Sequence, residues 1–301
     1  MPEHDGIGQL LSAQDLTRLG RLALTSRFTV EGTMTGSHKS QRKGISVEFA
    51  DYRQYVPGDD PKHLDWKVYG RNERLYLREY EEETTLRVHL LVDASASMAY
   101  AGKDISKYTY ACRCAAALAY ITIHHQDNVG LALFDETTRA LLPAKSGPEH
   151  LRVICNTLAS HTPSEHTDMS KTLHNLAENA KRRGLIVIFS DLFDDMEKIK
   201  SALAHFRRRR HDVIVYQILD RSEVDFPFRN VSTFEDLETG ERIITSPRDI
   251  KNAYQKAIEE FLQQSRQICS SLNVEHVLAL TDVPPVDMIL RHLRQRALAG
   301  R

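Results

Sequence analysis

From residue 86 onward, short apolar segments alternate with segments of helical periodicity, and this alternation restricts the fold more than any other feature. The apolar segments have the near-continuous character of buried strands: Val88–Val92, Val129–Phe134, Leu185–Phe189, Val213–Leu219 and Val274–Leu280. Helical patterns follow them at about 106–126, 149–160, 169–183, 195–209, 249–271 and 285–298. This order is typical of a parallel sheet that helices cover on both faces. The sequence predicts an α/β fold over residues 86–301, with a doubly wound, mostly parallel sheet flanked by helices.

Two shorter ribbons accompany the predicted sheet. Arg139–Leu142 is predicted to pair with the strand that ends at Phe134, and Val231–Ile244 to form a hairpin that turns at Glu238–Gly240. The first 85 residues do not follow the alternation. Residues 1–34 are predicted to form a leader with one amphipathic helix, and residues 35–85 a small β-rich clasp with a strand over Leu75–Tyr80.

The bulk composition argues against several classes of function. Lys+Arg (40) nearly balances Asp+Glu (41), so no overall field attracts nucleic acid or an anionic membrane. No apolar run approaches the ~20 residues of a membrane helix, and no basic segment followed by an apolar one begins the chain. The four cysteines form no Cys-x-x-Cys pair and are interpreted as buried free thiols. These features predict a cytoplasmic protein with no membrane span.

The first strand of the predicted sheet ends in a cluster of oxygen-bearing side chains. Asp93, Ser95 and Ser97 form an Asp-x-Ser-x-Ser motif directly after the apolar run. Carboxylate and hydroxyl oxygens are ligands for Mg²⁺, and also for Mn²⁺ or Ca²⁺. On its own, the motif fits a capped turn equally well, because Asp and Ser are common helix caps.

Two distant residues complete a candidate metal site. Asp191 follows the strand Leu185–Phe189 just as Asp93 ends the first strand, and Thr167 lies in the loop before the helix at 169–183. Ligands of doubly wound sheets bind beyond the carboxyl ends of the strands. The predicted metal ligands are therefore Asp93, Ser95, Ser97, Thr167 and Asp191.

This set of residues resembles the metal-ion-dependent adhesion site of von Willebrand factor A domains, a Rossmann-like fold. The resemblance implies that Ser95, Ser97 and Thr167 supply hydroxyl oxygens, while Asp93 and Asp191 act directly or through water. It also implies an open coordination position, which a carboxylate of a partner protein fills.

The segment upstream of the motif narrows the resemblance. Gly58-Asp59-Asp60, Leu64-Asp65-Trp66 and Arg71, followed by the motif, are similar to the bacterial family named domain of unknown function 58. The resemblance covers about residues 35–200. It implies a partner, a MoxR-type AAA+ ATPase, and a role as adaptor in the maturation or remodelling of client proteins.

Two other functions stay open as alternatives. A metal-dependent hydrolase could use the same cation site, but the sequence indicates no general base and contains no Gly-x-Ser-x-Gly, His-Glu-x-x-His or Walker motif. Nucleic-acid binding would depend on Arg207–Arg210 and the basic run 38–43. The arginine run is also typical of a helix C-terminus, where cations are favourable. We therefore expect a non-enzymatic interaction module.

Overall fold

The computed structural model describes residues 6–25, 49–56, 59, 64–72, 74–80, 86–103, 105–163, 169–228, 232–235, 242–245 and 247–299. Thr167, the basic run 38–43 and the predicted turn Glu238–Gly240 lie outside these residues. The chain divides into two compact units, one of residues 35–85 and one of residues 1–34 with 86–301.

The N-terminal segment forms two helices where the sequence predicts one. Helix α1 spans Gly6–Leu10 and α2 spans Ala13–Thr25. The break lies at Ser12, whose hydroxyl accepts a hydrogen bond from the Asp15 N–H (3.1 Å), while the Asp15 carboxylate accepts one from the Ser12 N–H (3.1 Å). This reciprocal cap starts a new helix. Leu10, Leu11 and Leu19 are buried in the core of the larger unit.

The described residues of the smaller unit form a two-stranded antiparallel ribbon and one helix. Strand β1 (Phe49–Gln54) pairs with β2 (Tyr76–Tyr80). The bounds of β2 agree with the strand predicted over Leu75–Tyr80. Helix α3, Trp66–Asn72, lies between these two strands in the sequence and was not predicted. Its first turn is capped by Asp65, whose carboxylate accepts the Val68 N–H at 3.2 Å.

The larger unit is built on a six-stranded sheet. Its strands are β3 (Arg87–Asp93), β4 (Asn128–Phe134), β5 (Thr138–Lys145), β6 (Leu185–Ser190), β7 (Asp212–Leu219) and β10 (Glu275–Leu280). Their order across the sheet is β10-β7-β6-β3-β4-β5, and every pair is parallel except β4 with β5. In a separate two-stranded sheet, β8 (Ser232–Glu235) pairs antiparallel with β9 (Arg242–Thr245). The doubly wound, mostly parallel sheet is confirmed.

Helices cover both faces of this sheet. They are α4 (Lys107–His124), α5 (Pro148–Ser160), α6 (Met169–Asn179), α7 (Met196–Arg208), α8 (Arg221–Asp225), α9 (Pro247–Ser271) and α10 (Pro285–Ala299). Helices α1, α2, α4, α5 and α10 bury apolar side chains on one face, and α6, α7 and α9 on the other. Side chains of β3 alternate accordingly, with Leu90 and Val92 in the first core and Leu91 in the second.

Helix α4 is the most deeply buried helix of the first face. Ala115, Ala116 and Ala117 are fully buried within it, and their small side chains allow close contact with the sheet. All four cysteines are buried free thiols, as predicted. Within the described ranges, each helix is too short or too polar to cross a bilayer.

Candidate metal centre

The candidate centre lies where the strand order of the sheet reverses. From β3 the chain continues to β4 and β5 on one side, then crosses to β6, β7 and β10 on the other. The carboxyl ends of β3 and β6 therefore flank the reversal, which is where doubly wound sheets bind ligands. Asp93 is the last residue of β3 and Asp191 follows the last residue of β6. The sheet brings these two residues together from positions far apart in the chain.

Asp93 is buried and both of its carboxylate oxygens accept hydrogen bonds. Oδ1 accepts the Ser95 N–H at 2.9 Å, and Oδ2 accepts the Ser190 hydroxyl at 2.6 Å. Burial, followed by the negative charge of Asp191, raises the pKa of Asp93 to about 7. The ionised form of Asp93 is therefore unfavourable here without a further cation.

Ser95 and Ser97 present their hydroxyls side by side. The two Oγ atoms are 3.1 Å apart and hydrogen-bond to each other, across the start of the 3₁₀ turn Ala96–Ala99. Octahedral Mg²⁺ holds its ligands at about 2.1 Å, so two adjacent ligand oxygens are about 3.0 Å apart. The observed separation suits a pair of hydroxyls that share one cation.

The start of α6 also lies at this centre. The Ser190 hydroxyl, which binds Asp93, is 3.5 Å from the Sδ of Met169, the first residue of α6. The same hydroxyl oxygen accepts the Leu192 N–H at 2.9 Å. Thr167 precedes this helix and lies outside the described residues, so its role as a ligand stays a prediction.

Sequence reasoning missed Lys107, a buried cation at the edge of the centre. Its Nζ donates to Asp191 Oδ2 at 2.8 Å and to Glu223 Oε1 at 2.7 Å, and the side chain is 1% exposed. The ring of Phe193 lies 4.9 Å from the same nitrogen. Burial acts to lower the pKa of Lys107, but the two carboxylates outweigh it and hold that pKa above its usual value. Lys107 is therefore charged and fixes one oxygen of Asp191.

Glu223 and Asp220 extend the hydrogen-bond network from β7 and α8. Glu223 Oε2 accepts the Asp220 N–H at 2.7 Å, which completes a capping box at the start of α8. The Asp220 carboxylate accepts hydroxyls of Ser222 and Thr281, each at 2.6 Å. Burial acts to raise the pKa of Asp220, but these hydrogen bonds outweigh it and lower that pKa.

Two signals in the sequence point to these missed residues. Lys107 begins a helix, where a cation opposes the macrodipole, so a lysine there requires another partner. An aspartate also directly follows β4 and β7, at Asp135 and Asp220, just as Asp191 follows β6. Asp135 is buried and pairs with Arg139, and Asp220 caps α8, so both have structural partners.

The residues fit a divalent cation through hydroxyls rather than through a cluster of strong ligands. Within the ranges that the structure describes, no group of three His, Cys, Asp or Glu side chains is placed to hold a metal ion. The two hydroxyls of Ser95 and Ser97 lie beside the Asp93 carboxylate, whose ionised form is unfavourable without a cation. Mg²⁺ accepts such oxygen ligands together with water. The ligand assignment of Asp93, Ser95, Ser97 and Asp191 stays a prediction.

The basic run at the end of α7 makes contacts typical of a helix C-terminus. Arg207 donates to the His211 carbonyl at 2.7 Å and to Asp212 at 3.1 Å. Arg208 and Arg209 donate to the carbonyls of Ala204 and Glu178. Each of these guanidinium groups has a partner within the protein.

Comparison with known families identifies the family of the chain. A family model described as "Protein of unknown function DUF58" matches residues 51–264, which is more than half of the sequence. The chain belongs to this family. The family predicted from the motif and its upstream segment is thereby confirmed.

Curated relatives and solved structures extend this comparison. The chain is 26% identical over 225 residues to "Uncharacterized protein Rv1480" of Mycobacterium tuberculosis, covering 74% of this chain and 70% of the relative. It is 23% identical over 172 residues to "Uncharacterized protein YeaD" of Bacillus subtilis, covering 55% of this chain and 40% of the relative. The crystal structure of the conserved hypothetical protein BatB from Bacteroides thetaiotaomicron covers 71% of this chain and 99% of that chain, with 18% identity and a TM-score of 0.47.

Proposed function

We propose that this DUF58 protein is a protein-interaction module whose binding site requires a divalent cation, Mg²⁺ in the cell. Asp93, Ser95, Ser97 and Asp191 hold the cation, and Thr167 is assigned to the same set by its resemblance to adhesion sites. The bound cation supplies an open position for a carboxylate of the partner protein. The observation that carries this proposal is the placement of two serine hydroxyls 3.1 Å apart next to the buried Asp93.

The electrostatics of the site support a cation better than a neutral ligand. Asp93 and Asp191 are each 1% exposed and lie close enough for the charge of Asp191 to raise the pKa of Asp93. Lys107 bonds to both Asp191 and Glu223, so with Asp93 ionised the three carboxylates exceed the single ammonium by two negative charges. A divalent cation balances that excess.

The proposed partner follows from the family resemblance. A MoxR-type AAA+ ATPase, or a client protein that it remodels, provides the acidic side chain. In this scheme the DUF58 protein is the adaptor that presents a client to the ATPase. Exchange of one water ligand for a carboxylate is favourable for Mg²⁺, which commonly keeps several waters in protein sites.

A binding role agrees with the contacts of Glu223, the carboxylate that Lys107 connects to Asp191. Hydrolysis at a metal site needs a general base that is free to accept a proton. Both oxygens of Glu223 already accept hydrogen bonds, one from Lys107 and one from the Asp220 N–H. Glu223 thus gives no support to hydrolysis, and we propose capture of a carboxylate at the cation.

Titration calorimetry with a purified MoxR-type ATPase tests this function. Wild-type protein is expected to bind in Mg²⁺ and to lose binding in EDTA, and Ser95→Ala to lose binding in both. Thr122→Val is the matched control, because Thr122 is also a buried hydroxyl but lies at the far end of α4. That variant should bind as the wild type does.

The metal requirement is contradicted if wild type, Ser95→Ala and EDTA-treated protein bind the ATPase with equal affinity. Absence of binding to the ATPase in every condition contradicts the choice of partner. In that case the cation site is tested separately by direct metal titration.

A further inference from the structure

The two edges of the central sheet differ in how they are protected against pairing with another strand. Edge strand β5 contains Pro143, Arg139 and Lys145, and its pairing with β4 has two register shifts. Proline, charged side chains and bulges are the features by which natural sheets prevent edge-to-edge pairing. The β5 edge of the sheet is therefore protected against pairing with another strand.

The opposite edge strand, β10, has less of this protection, because its one aspartate or glutamate, Glu275, is the first residue of the strand and pairs with Arg296. Its sequence, Glu-His-Val-Leu-Ala-Leu, contains no proline or lysine, and it pairs with β7 in regular register. Val277, Leu278 and Leu280 remain partly exposed, whereas every residue of β6 is buried. An edge strand with four consecutive apolar residues, 277–280, and no bulge is a template for a further strand.

The backbone groups that face away from β7 follow from the hydrogen-bond phase. The Thr281 N–H donates to the Leu219 carbonyl at 3.1 Å, so odd-numbered residues of β10 face β7. In a parallel strand the N–H and C=O of a residue point to the same side, and successive residues alternate. The N–H and C=O of His276 and Leu278 therefore face outward, and neither residue's backbone bonds to any part of the chain that the structure describes on that side.

A cavity of about 530 Å³ opens beside this edge, between α9 and β10. Three of its lining residues belong to β10 or directly precede it, and the others to α9 and the turn after it. The lining residues are Arg266, Ser270, Asn273, Val274, His276 and Leu278.

The cavity carries one positive charge, that of Arg266. This residue is exposed and makes no ion pair with a residue within the described ranges. Residues 261–274 contain no aspartate or glutamate. Burial and the nearby Arg266 lower the pKa of His276 to about 4, and its Nε2 is bonded to Gln217 at 2.8 Å. The histidine is thus neutral at pH 7, and the cavity complements a single carboxylate.

We propose that the β10 edge binds an extended acidic peptide segment by strand addition. The backbone of the segment pairs with the outward-facing groups of His276 and Leu278, and a glutamate or aspartate side chain enters the cavity to meet Arg266. Main-chain hydrogen bonds supply affinity in this mode, and the pocket for one side chain supplies specificity. This surface is separated from the candidate metal centre by β7 and requires no cation.

Fluorescence anisotropy with a labelled synthetic peptide tests the proposal on the full chain. The probe is an eight-residue peptide of alternating valine and threonine with one central glutamate, and the matched probe carries lysine in its place. We expect saturable binding of the glutamate peptide, equal in Mg²⁺ and EDTA, and weaker binding of the lysine peptide by about tenfold, which corresponds to loss of one ion pair of about 1.4 kcal/mol.

Two variants separate the contribution of backbone hydrogen bonds to peptide binding from the contribution of the Arg266 charge. Leu278→Pro removes an outward-facing N–H without removing a hydrogen bond to β7, and it should abolish binding while circular dichroism stays unchanged. Arg266→Gln should reduce binding of the glutamate peptide to the level of the lysine peptide. Arg294→Gln, which removes an exposed arginine of α10, is the control and should bind normally. No saturable binding of the glutamate peptide, or equal binding by all variants, would overturn the proposal.

Hydrogen exchange of the free protein provides a test that does not depend on the peptide chosen. The amides of His276 and Leu278 should exchange rapidly, and those of Val277 and Ala279 slowly, because only the latter face β7. Equal protection of all four amides would show that the edge is already covered, and would also overturn the proposal.

Discussion

At the scale of single residues, Lys107 supplies the positive charge that Asp191 and Glu223 share at the candidate centre. It lies at the first position of α4, bonds Asp191 and Glu223, and is as buried as Asp191 itself. Two carboxylates that share one buried ammonium form a closed set of charge-assisted hydrogen bonds. The set leaves Asp93 as the carboxylate without a cationic partner among the described residues.

Replacement of Lys107 by methionine should destabilise the protein by about 3–5 kcal/mol, because it leaves buried carboxylates without their counter-charge. Urea unfolding in EDTA measures this loss. The double variant Lys107→Met/Glu223→Gln should recover part of it, since one of the unpaired charges is then removed. A loss below about 1 kcal/mol for the single variant would show that the ammonium contributes little.

The raised pKa of Asp93 predicts a specific dependence of stability on pH in metal-free protein. Its pKa lies above the ordinary value of 3.8, so the folded state holds a proton that the unfolded state releases. This stabilising contribution is complete below pH 3.8 and is lost as the pH rises through about 7. In EDTA, the free energy of unfolding of wild type should therefore fall relative to that of Asp93→Asn as the pH rises from 3.8 to about 7, and change little above that.

Urea unfolding of both proteins across this range measures the difference. Groups that do not interact with Asp93 titrate alike in both proteins and cancel in the comparison. Parallel pH profiles for wild type and Asp93→Asn would contradict the assignment of a raised pKa to this residue.

At the scale of elements, the strands were predictable and some helices were not. The buried strands are near-continuous apolar runs, and the structure places β3, β4, β6, β7 and β10 within one or two residues of the predicted bounds. Helix α6 ends at Asn179 rather than at 183. Helix α3 was missed because its seven residues include Gly70 and one aromatic pair, Trp66 and Tyr69, and carry no clear apolar stripe.

Close contact between β3 and the start of β6 depends on Gly184. A Cβ atom at this position would clash with the backbone carbonyl oxygen of Arg87. Gly184→Ala should therefore reduce the free energy of unfolding by about 1–3 kcal/mol, because the two strands must separate. Thermal or urea unfolding measures the effect.

Gly20→Ala in α2 is the matched control. Its added Cβ would lie at an ordinary 3.5 Å from the Tyr120 hydroxyl, and alanine favours a helix interior over glycine by roughly 1 kcal/mol. That variant should be as stable as wild type or more so. Equal stability of Gly184→Ala and wild type would show that the strands tolerate the extra atom.

At the scale of the whole molecule, the sheet order explains how much of the site could be predicted. Asp191 was predictable because it follows a parallel strand, and the carboxyl ends of parallel strands share one edge of the sheet. Ser190 and Glu223 were not, because their roles depend on side-chain hydrogen bonds between elements that no spacing rule connects, and the position of Lys107 at a helix start does not identify its partners. The strand reversal thus indicates where the candidate centre lies, and side chains of α4 and α8 contribute its charges.

The central claim is that one divalent cation binds at this reversal through Asp93, Ser95, Ser97 and Asp191. Electron paramagnetic resonance of Mn²⁺, titrated into EDTA-treated and dialysed protein, tests it directly by counting bound ions. We predict one site per chain in wild type and Thr122→Val, displaced by excess Mg²⁺, and none in Ser95→Ala. Equal Mn²⁺ binding by Ser95→Ala and wild type, or no bound Mn²⁺ in wild type, would contradict the account.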